Sequence, residues 1–183
     1  MATFFTGDTH FGDLRALRFD HRPFPNLAVH TDELVRRWNE AVGADDEVWH
    51  LGDFALGPAP AEVAELIASL HGRKHLIIGN NDDAGTLEAP GWASVQHYVE
   101  LTLDDRQLVL CHYPFRTWNG IGKGVVNIHG HSHGRLKPIT RQYDVGVDVW
   151  DFRPVPLGTI LARRRRSAPW SRSPKAVPPE AAR

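Results

Sequence analysis

Asp8 and His10 stand two residues apart behind Gly7, Asp53 follows Gly52, Asn80 follows Gly79, His112 stands alone, and His131 and His133 flank a serine between two glycines. Carboxylate and amide oxygen mixed with imidazole nitrogen is the donor set that borderline divalent cations accept. Two such cations about 3.5 to 4 Å apart lower the pKa of a shared water and neutralise charge building on phosphoryl oxygens. Phosphate ester hydrolysis needs both effects. In an extended segment residues i and i+2 face the same side, so Asp8 and His10 can grip one ion. Asp53 is the candidate bridging carboxylate, Asn80 offers a neutral carbonyl oxygen, and His112, His131 and His133 add imidazoles. An isolated Asp-x-His is more often an ordinary polar turn. A His-x-His pair bracketed by glycines has little purpose in packing, and the chain holds 11 histidines in 183 residues, three of them between positions 129 and 133.

These residues need a frame that brings them together. Thr3 to Thr6 reads as a buried strand running into Gly7-Asp8-Thr9-His10. Phe11 to His30 reads as irregular, and Thr31 as the N-cap of a helix to about Val42, with Asp32 and Glu33 complementing its dipole. Glu47 to Leu51 is a second strand ending at Gly52-Asp53. Pro60 to His71 is an amphipathic helix with Val63, Leu66, Ile67 and Leu70 inward and Gly72 as its stop. Lys74 to Ile78 is a third strand ending at Gly79-Asn80. Ligands of open α/β sheets gather beyond the carboxyl ends of the strands, where these three loops would meet. The second half is mostly strand: Val95 to Leu103 and Gln107 to Cys111 around a tight turn at Asp104-Asp105, then Val125 to Ile128 and Gln142 to Val147. Two packed mixed sheets with helices outside are expected.

The length suits one domain, set at residues 1–162, followed by a basic tail at 163–183 whose composition suggests disorder. That tail holds seven basic residues and one acidic, against 14 basic and 21 acidic in the body. An acidic body suits an enzyme of anionic substrates once bound cations offset its charge. The lone Cys111 can form no intrachain disulfide and reads as a small core residue. The N-terminus lacks a signal-peptide pattern and no apolar run spans a bilayer, so a cytoplasmic location without membrane contact is expected. No aromatic ladder or RNA-binding module accompanies the tail, so nucleic acid is not an expected partner.

In order, Gly-Asp-x-His, Gly-Asp, Gly-Asn-x-Asp, a lone His and Gly-His-x-His resemble the motif series of the calcineurin-like metallophosphoesterases, from Gly7 to about Pro154. The resemblance implies a four-layer α/β/β/α sandwich of two mixed sheets flanked by helices. It implies one metal held by Asp8, His10, Asp53 and His133 and a second by Asp53, Asn80, His112 and His131. It also implies hydrolysis of a phosphodiester or activated phosphomonoester, nucleotide-like substrates included, by a metal-bridging hydroxide. Manganese is the first candidate metal, with iron, zinc and nickel also suited. Arg22-Pro23-Phe24, Trp38-Asn39, His112-Tyr113-Pro114 with Trp118-Asn119, and Gly146 to Trp150 look like a subgroup of small bacterial and phage phosphoesterases. The family usually has histidine where Asn81 stands, and asparagine cannot transfer a proton at neutral pH. Asn81, Asp82 and the phosphate-clamping candidate Arg116 are the expected catalytic positions. The rival reading is a non-catalytic scaffold on the same fold, which would explain Asn81 but leave seven converging metal-binding groups without purpose.

Overall fold

The computed structural model describes residues 1–137 and 139–163, so the expected tail, apart from Arg163, lies outside the described residues. Strand β1 (Thr3–Thr6) is followed by helix α1 (Leu14–Phe19), helix α2 (Leu27–Ala41), β2 (Glu47–His50), α3 (Pro60–Ser69), β3 (Arg73–Ile77), α4 (Ala84–Leu87) and β4 (Trp92–Gln96). The second half contributes β5 (Tyr98–Leu103), β6 (Arg106–Cys111), β7 (Val126–His129), β8 (Gln142–Asp144), β9 (Val155–Pro156) and α5 (Leu157–Ala162). The first sheet has the order β4-β3-β2-β1-β9, parallel except for β9, and the second β5-β6-β7-β8, parallel except for β5. Two mixed sheets flanked by helices are the calcineurin-like architecture.

Alternation along the central strands builds the layers. Phe5, Trp49, Leu51 and Ile77 face the second sheet and pack with its Leu108, Leu110, Val126 and Ile128. Their neighbours Val48 and Leu76 face the other way, onto Leu34 and Trp38 of α2 and Val63 and Ile67 of α3. Successive strand side chains point to opposite faces, so one run of residues feeds both cores. On the outer face of the second sheet Val109 is covered by Trp118 and Val125, where the chain makes a single 3₁₀ turn at Ile121–Lys123.

Three local expectations change. The segment read as irregular contains α1, capped by Asp13, whose carboxylate accepts the Arg15 amide at 2.9 Å. α2 starts four residues before Thr31, because the Asn26 side chain accepts the Val29 amide and caps it first. The expected strand Val95 to Leu103 is divided at His97 between β4 of the first sheet and β5 of the second. Its alternating pattern runs unbroken through the crossing, so nothing in the residue types marks the change of sheet. The Asp104-Asp105 turn is as expected, with φ values of 48° and 59°, the left-handed pair that a two-residue hairpin needs. β9 and α5 were not anticipated. No helix among the described residues is long and apolar enough to cross a membrane.

Candidate metal centre

Five loops converge at the carboxyl ends of parallel strands: those after β1, β2 and β3 from one sheet, and those after β6 and β7 from the other. The first two loops are stitched together, the Asp8 amide donating to the Gly52 carbonyl at 2.9 Å and the His10 amide to the Asp53 carbonyl at 3.0 Å. Among the described residues eleven non-glycine positions have left-handed backbones, and five of them are Asp8, His10, Asp53, His131 and His133. Such conformations cost of order 1–3 kcal/mol each when strained, and they gather where a side chain must be aimed.

Five of the seven expected ligands fall into two overlapping groups, and Asn80 and His131 join through His112. Donor atoms of Asp8, His10 and His133 lie within 4.8 Å of one another, and so do those of Asp8, Asp53 and His112. Asp53 faces both ways: one carboxylate oxygen is 3.5 Å from His10 Nε2 and the other 3.6 Å from His112 Nε2. His112 Nδ1 donates to the Leu51 carbonyl at 2.7 Å, which leaves its Nε2 a bare lone pair. That lone pair confronts Asn80 Oδ1 at 3.1 Å, His131 Nδ1 at 3.2 Å and the Asp53 carboxylate. A hydrogen on His131 Nδ1 satisfies one of these contacts, and the two to oxygen remain acceptor against acceptor. Asp8 Oδ2 and both ring nitrogens of His10 are buried with no hydrogen-bond partner. Leaving a buried polar atom unsatisfied costs about 1–3 kcal/mol, so this many orphaned lone pairs aimed at shared points fit divalent cations.

Protonation states agree with that fit. Burial holds the His112 and His131 rings below their ordinary value and takes His10 down to about 4, so all three are neutral at pH 7, the form in which imidazole can take a cation. Burial pushes Asp53 up, but the nearby His112 charge and the Asn81 hydrogen bonds outweigh it and leave the carboxyl below its usual range. Burial raises Asp8 well above the ordinary carboxylate value in the absence of a cation. His133 is opposed by burial, yet its bond to Asp148 and the charges of Asp8 and Asp148 lift it to about 9. A cation binding at pH 7 therefore displaces a proton from His133, because ligands must be deprotonated. We expect affinity to rise with pH up to about 9, by about tenfold per unit for each proton displaced. Calorimetric titration in buffers of different ionisation enthalpy measures the protons released, and a count of zero at pH 7 would contradict these assignments.

Buried partners fix the ligands in turn. Arg22, whose side chain is wholly inaccessible, donates to the Thr9 carbonyl at 2.7 Å and the Asp8 carbonyl at 2.6 Å. The same guanidinium grips Asp148 at 2.9 and 2.8 Å, and Asp148 accepts His133 Nδ1 at 2.7 Å, leaving His133 Nε2 for the cluster. Asp144 accepts the Ser132 hydroxyl and the Gly134 and Gly146 amides, which shapes the His131-x-His133 turn. Glycine is required where backbone meets carboxylate: a Cβ at Gly146 would lie 2.4 Å from Asp8 Oδ2, and one at Gly79 2.3 Å from Asp53 Oδ1.

The three expected catalytic positions have different surroundings. Asn81 donates its amide and its side-chain Nδ2 to the two oxygens of Asp53, at 2.8 and 2.6 Å, and so braces that carboxylate. Asp82 accepts three backbone amides, from Asp53, Phe54 and Gly79, at 2.7 to 2.9 Å. Both its oxygens are spent tying the β2 loop to the β3 loop, so Asp82 is a positioning residue. Arg116 is exposed and has no hydrogen-bond or ion-pair partner among the described residues, so nothing aims it at the cluster. Arg15 was overlooked: Asp13 holds its guanidinium at 2.8 Å, and its Nη2 reaches Asn81 Oδ1 at 3.2 Å. Arg22 and Asp148 sat in residue runs noted as subgroup features, but no spacing could pair positions 126 residues apart.

The sequence model of the calcineurin-like phosphoesterase superfamily domain matches residues 1–150. The Gene 66 protein of Mycobacterium phage D29 is 30% identical over 177 residues, covering 80% of this chain and 87% of the phage protein. The protein MJ1445 of Methanocaldococcus jannaschii is 28% identical over 162 residues, covering 84% and 86%. Among solved structures, the protein of unknown function AQ665 from Aquifex aeolicus superposes with a TM-score of 0.71 at 20% identity, covering 87% of this chain and 97% of its own. That likeness bears on the fold.

Proposed function

The chain belongs to the calcineurin-like phosphoesterase superfamily, and from that premise we propose that it is a dinuclear metal-dependent hydrolase of phosphodiesters and activated phosphomonoesters. The observation that carries this reading is Asp53, whose two oxygens face histidines of two different donor groups. Two bound divalent cations would supply Lewis acidity toward the phosphoryl oxygens and an acidified water. Asp8, His10, Asp53 and His133 are the residues to hold one, and Asp53, Asn80, His112 and His131 the other, with Asp8 within reach of both groups. Manganese, iron, zinc and nickel all suit this mixture.

Arg15 takes the clamping role first given to Arg116. Its side chain is 56% exposed, its Nη1 makes no hydrogen bond among the described residues, and Asp13 locks the rest of the fork at the edge of the cluster. A planar guanidinium so fixed can take a phosphoryl oxygen of bound substrate. Arg15→Ala is expected to lower kcat/KM about 10- to 100-fold, the worth of a hydrogen bond to a charged group. Metal content should be unchanged, and a loss under twofold would return Arg15 to the surface.

Asn81 has no proton to give, so leaving groups that need one are disfavoured. Positioned acid catalysis is typically worth about 10² to 10⁴ in rate, and aryl or strained diesters need little of it. The deciding experiment is reconstitution with manganese followed by hydrolysis of an aryl phosphate diester and an alkyl monoester. Turnover of the diester with the monoester far behind is the expected result. Tight metal binding with no turnover of either would favour the scaffold, and no metal bound would remove the reading altogether.

A further inference from the structure

Beside the metal cluster, on the far side of His133, lies a cleft of about 470 Å³ whose lining includes Asp20, His133, Asp148, Phe152, Arg135 and Arg163. Its size falls in the range of small-molecule sites. Its floor is shared with the centre, because His133 and Asp148 line it and also bond to each other at 2.7 Å. None of the ligand assignments uses the rest of it.

Its polar groups divide into spent and unspent. Asp148 is satisfied by Arg22 and His133, and Asp20 is engaged by Arg135, so neither carboxylate presents an unpaired charge. Arg135 commits only Nη2, to Asp20 and to the Phe19 carbonyl at 3.0 Å, and its Nε and Nη1 make no hydrogen bond among the described residues. Arg163 donates one bond, from Nη1 to the Val149 carbonyl at 3.1 Å, and rests 4.4 Å above the Trp150 ring. It has no carboxylate partner among the described residues. Two guanidinium groups with unspent donors therefore line one cleft. The lining is also strained, with His21 at φ 53°, His133 at 47° and Phe152 at 55°. A bulky residue such as phenylalanine rarely adopts that conformation, and backbones held so gather at ligand clamps.

We propose that this cleft binds a second anionic group of the substrate, a phosphate beyond the one presented to the metal cluster. The substrate class is a small molecule carrying two phosphates, either a nucleoside diphosphate or a sugar bisphosphate. A guanidinium fork matches two oxygens of one phosphate, which a lysine or an amide does not. The assignment rests on the phosphoesterase reading for what happens to the first phosphate, and on the cleft alone for the second.

Calorimetric binding of ADP and AMP, and of fructose 1,6-bisphosphate and fructose 6-phosphate, to the manganese-loaded full chain, with any turnover followed in parallel, tests the cleft. Each doubly phosphorylated ligand is expected to bind about tenfold or more tightly than its monophosphate, as new hydrogen bonds between charged groups would give. A preference confined to one pair supports the proposal and names the source of the second phosphate. Arg163→Ala should reduce that ratio at least about threefold, and Arg135→Lys, which keeps the charge near Asp20 but loses the fork, should reduce it as well. Equal binding of both members in both pairs overturns the proposal, as does a variant effect that falls on both members alike. A chain that shows the preference but hydrolyses nothing after metal loading would keep the cleft and lose the hydrolase reading. A hydrolase without the preference would do the reverse.

Discussion

Asp53→Asn is expected to abolish most phosphodiester hydrolysis while leaving the chain folded. The wild-type carboxylate offers one oxygen toward His10 and one toward His112, and each also accepts a hydrogen bond from Asn81. Asparagine keeps one oxygen and replaces the other with an NH₂ that confronts an Asn81 donor and a ring lone pair. The negative charge shared between the two donor groups disappears with it. Changing partners that merely orient metal ligands costs roughly 10–100-fold, so loss of the shared ligand itself should exceed about 10²-fold. Elemental analysis after reconstitution should show metal content falling from about two per chain toward one, the occupancy proposed for a dinuclear centre. If Asp53→Asn keeps full metal content and a rate within tenfold of wild type, Asp53 is not the bridge, and Asp8, which belongs to both donor groups, becomes the better assignment.

The largest effect on stability is expected from Asp148→Asn. Arg22 has no exposed side-chain surface, and Asp148 is its one carboxylate partner among the described residues. Removing one member of a buried pair leaves the other charge uncompensated, at a cost of about 3–5 kcal/mol. For a chain of this length that corresponds to a fall in Tm of roughly 6–20 °C. Burial pushes Asp148 up, but its bonds to His133 and Arg22 hold the carboxyl far below the ordinary range, so it is charged at pH 7. His133 loses the charged acceptor of its Nδ1 hydrogen in the same step, and metal affinity should drop about 10- to 100-fold. Thermal melts with and without manganese separate the two consequences. A Tm within 2 °C of wild type would mean that water takes the place of Asp148, and that Arg22 is less enclosed than its geometry indicates.

What could be read without coordinates follows from physical locality. Gly-Asp, Gly-Asn and Gly-His at strand ends marked the candidate ligands, because a glycine followed by a donor at the end of an apolar run is written within four residues. The inner face of α3 was legible for the same reason, through the spacing of Val63 and Ile67. The braces were not legible. Arg22 meets Asp148, Arg15 meets Asn81, and Asp144 meets the turn at Ser132, all pairings set by tertiary approach. Asp82 shows the opposite difficulty: it lies within a motif rich in expected ligands, yet its oxygens are taken up by three amides that only the folded loops supply. The crossing at His97 was hidden because an alternating segment has the same pattern whichever sheet it joins.

The placing of β1 between β2 and β9 has a consequence for how the protein is made. Asp8 leaves the ribosome well before the residues that enclose it, because its carboxylate is bounded by Gly130 and Gly146, and the Arg22 that holds its carbonyl waits for Asp148. At synthesis rates of about 5–20 residues per second, the 140 residues from Thr9 to Asp148 take roughly 7 to 28 s to appear. Over that interval the Asp8-x-His10 segment would be an open pair of donors, able to hold a cation loosely but not to choose among cations. Selection of a metal by the proposed centre would belong to the moment when the last quarter of the described chain closes over the first.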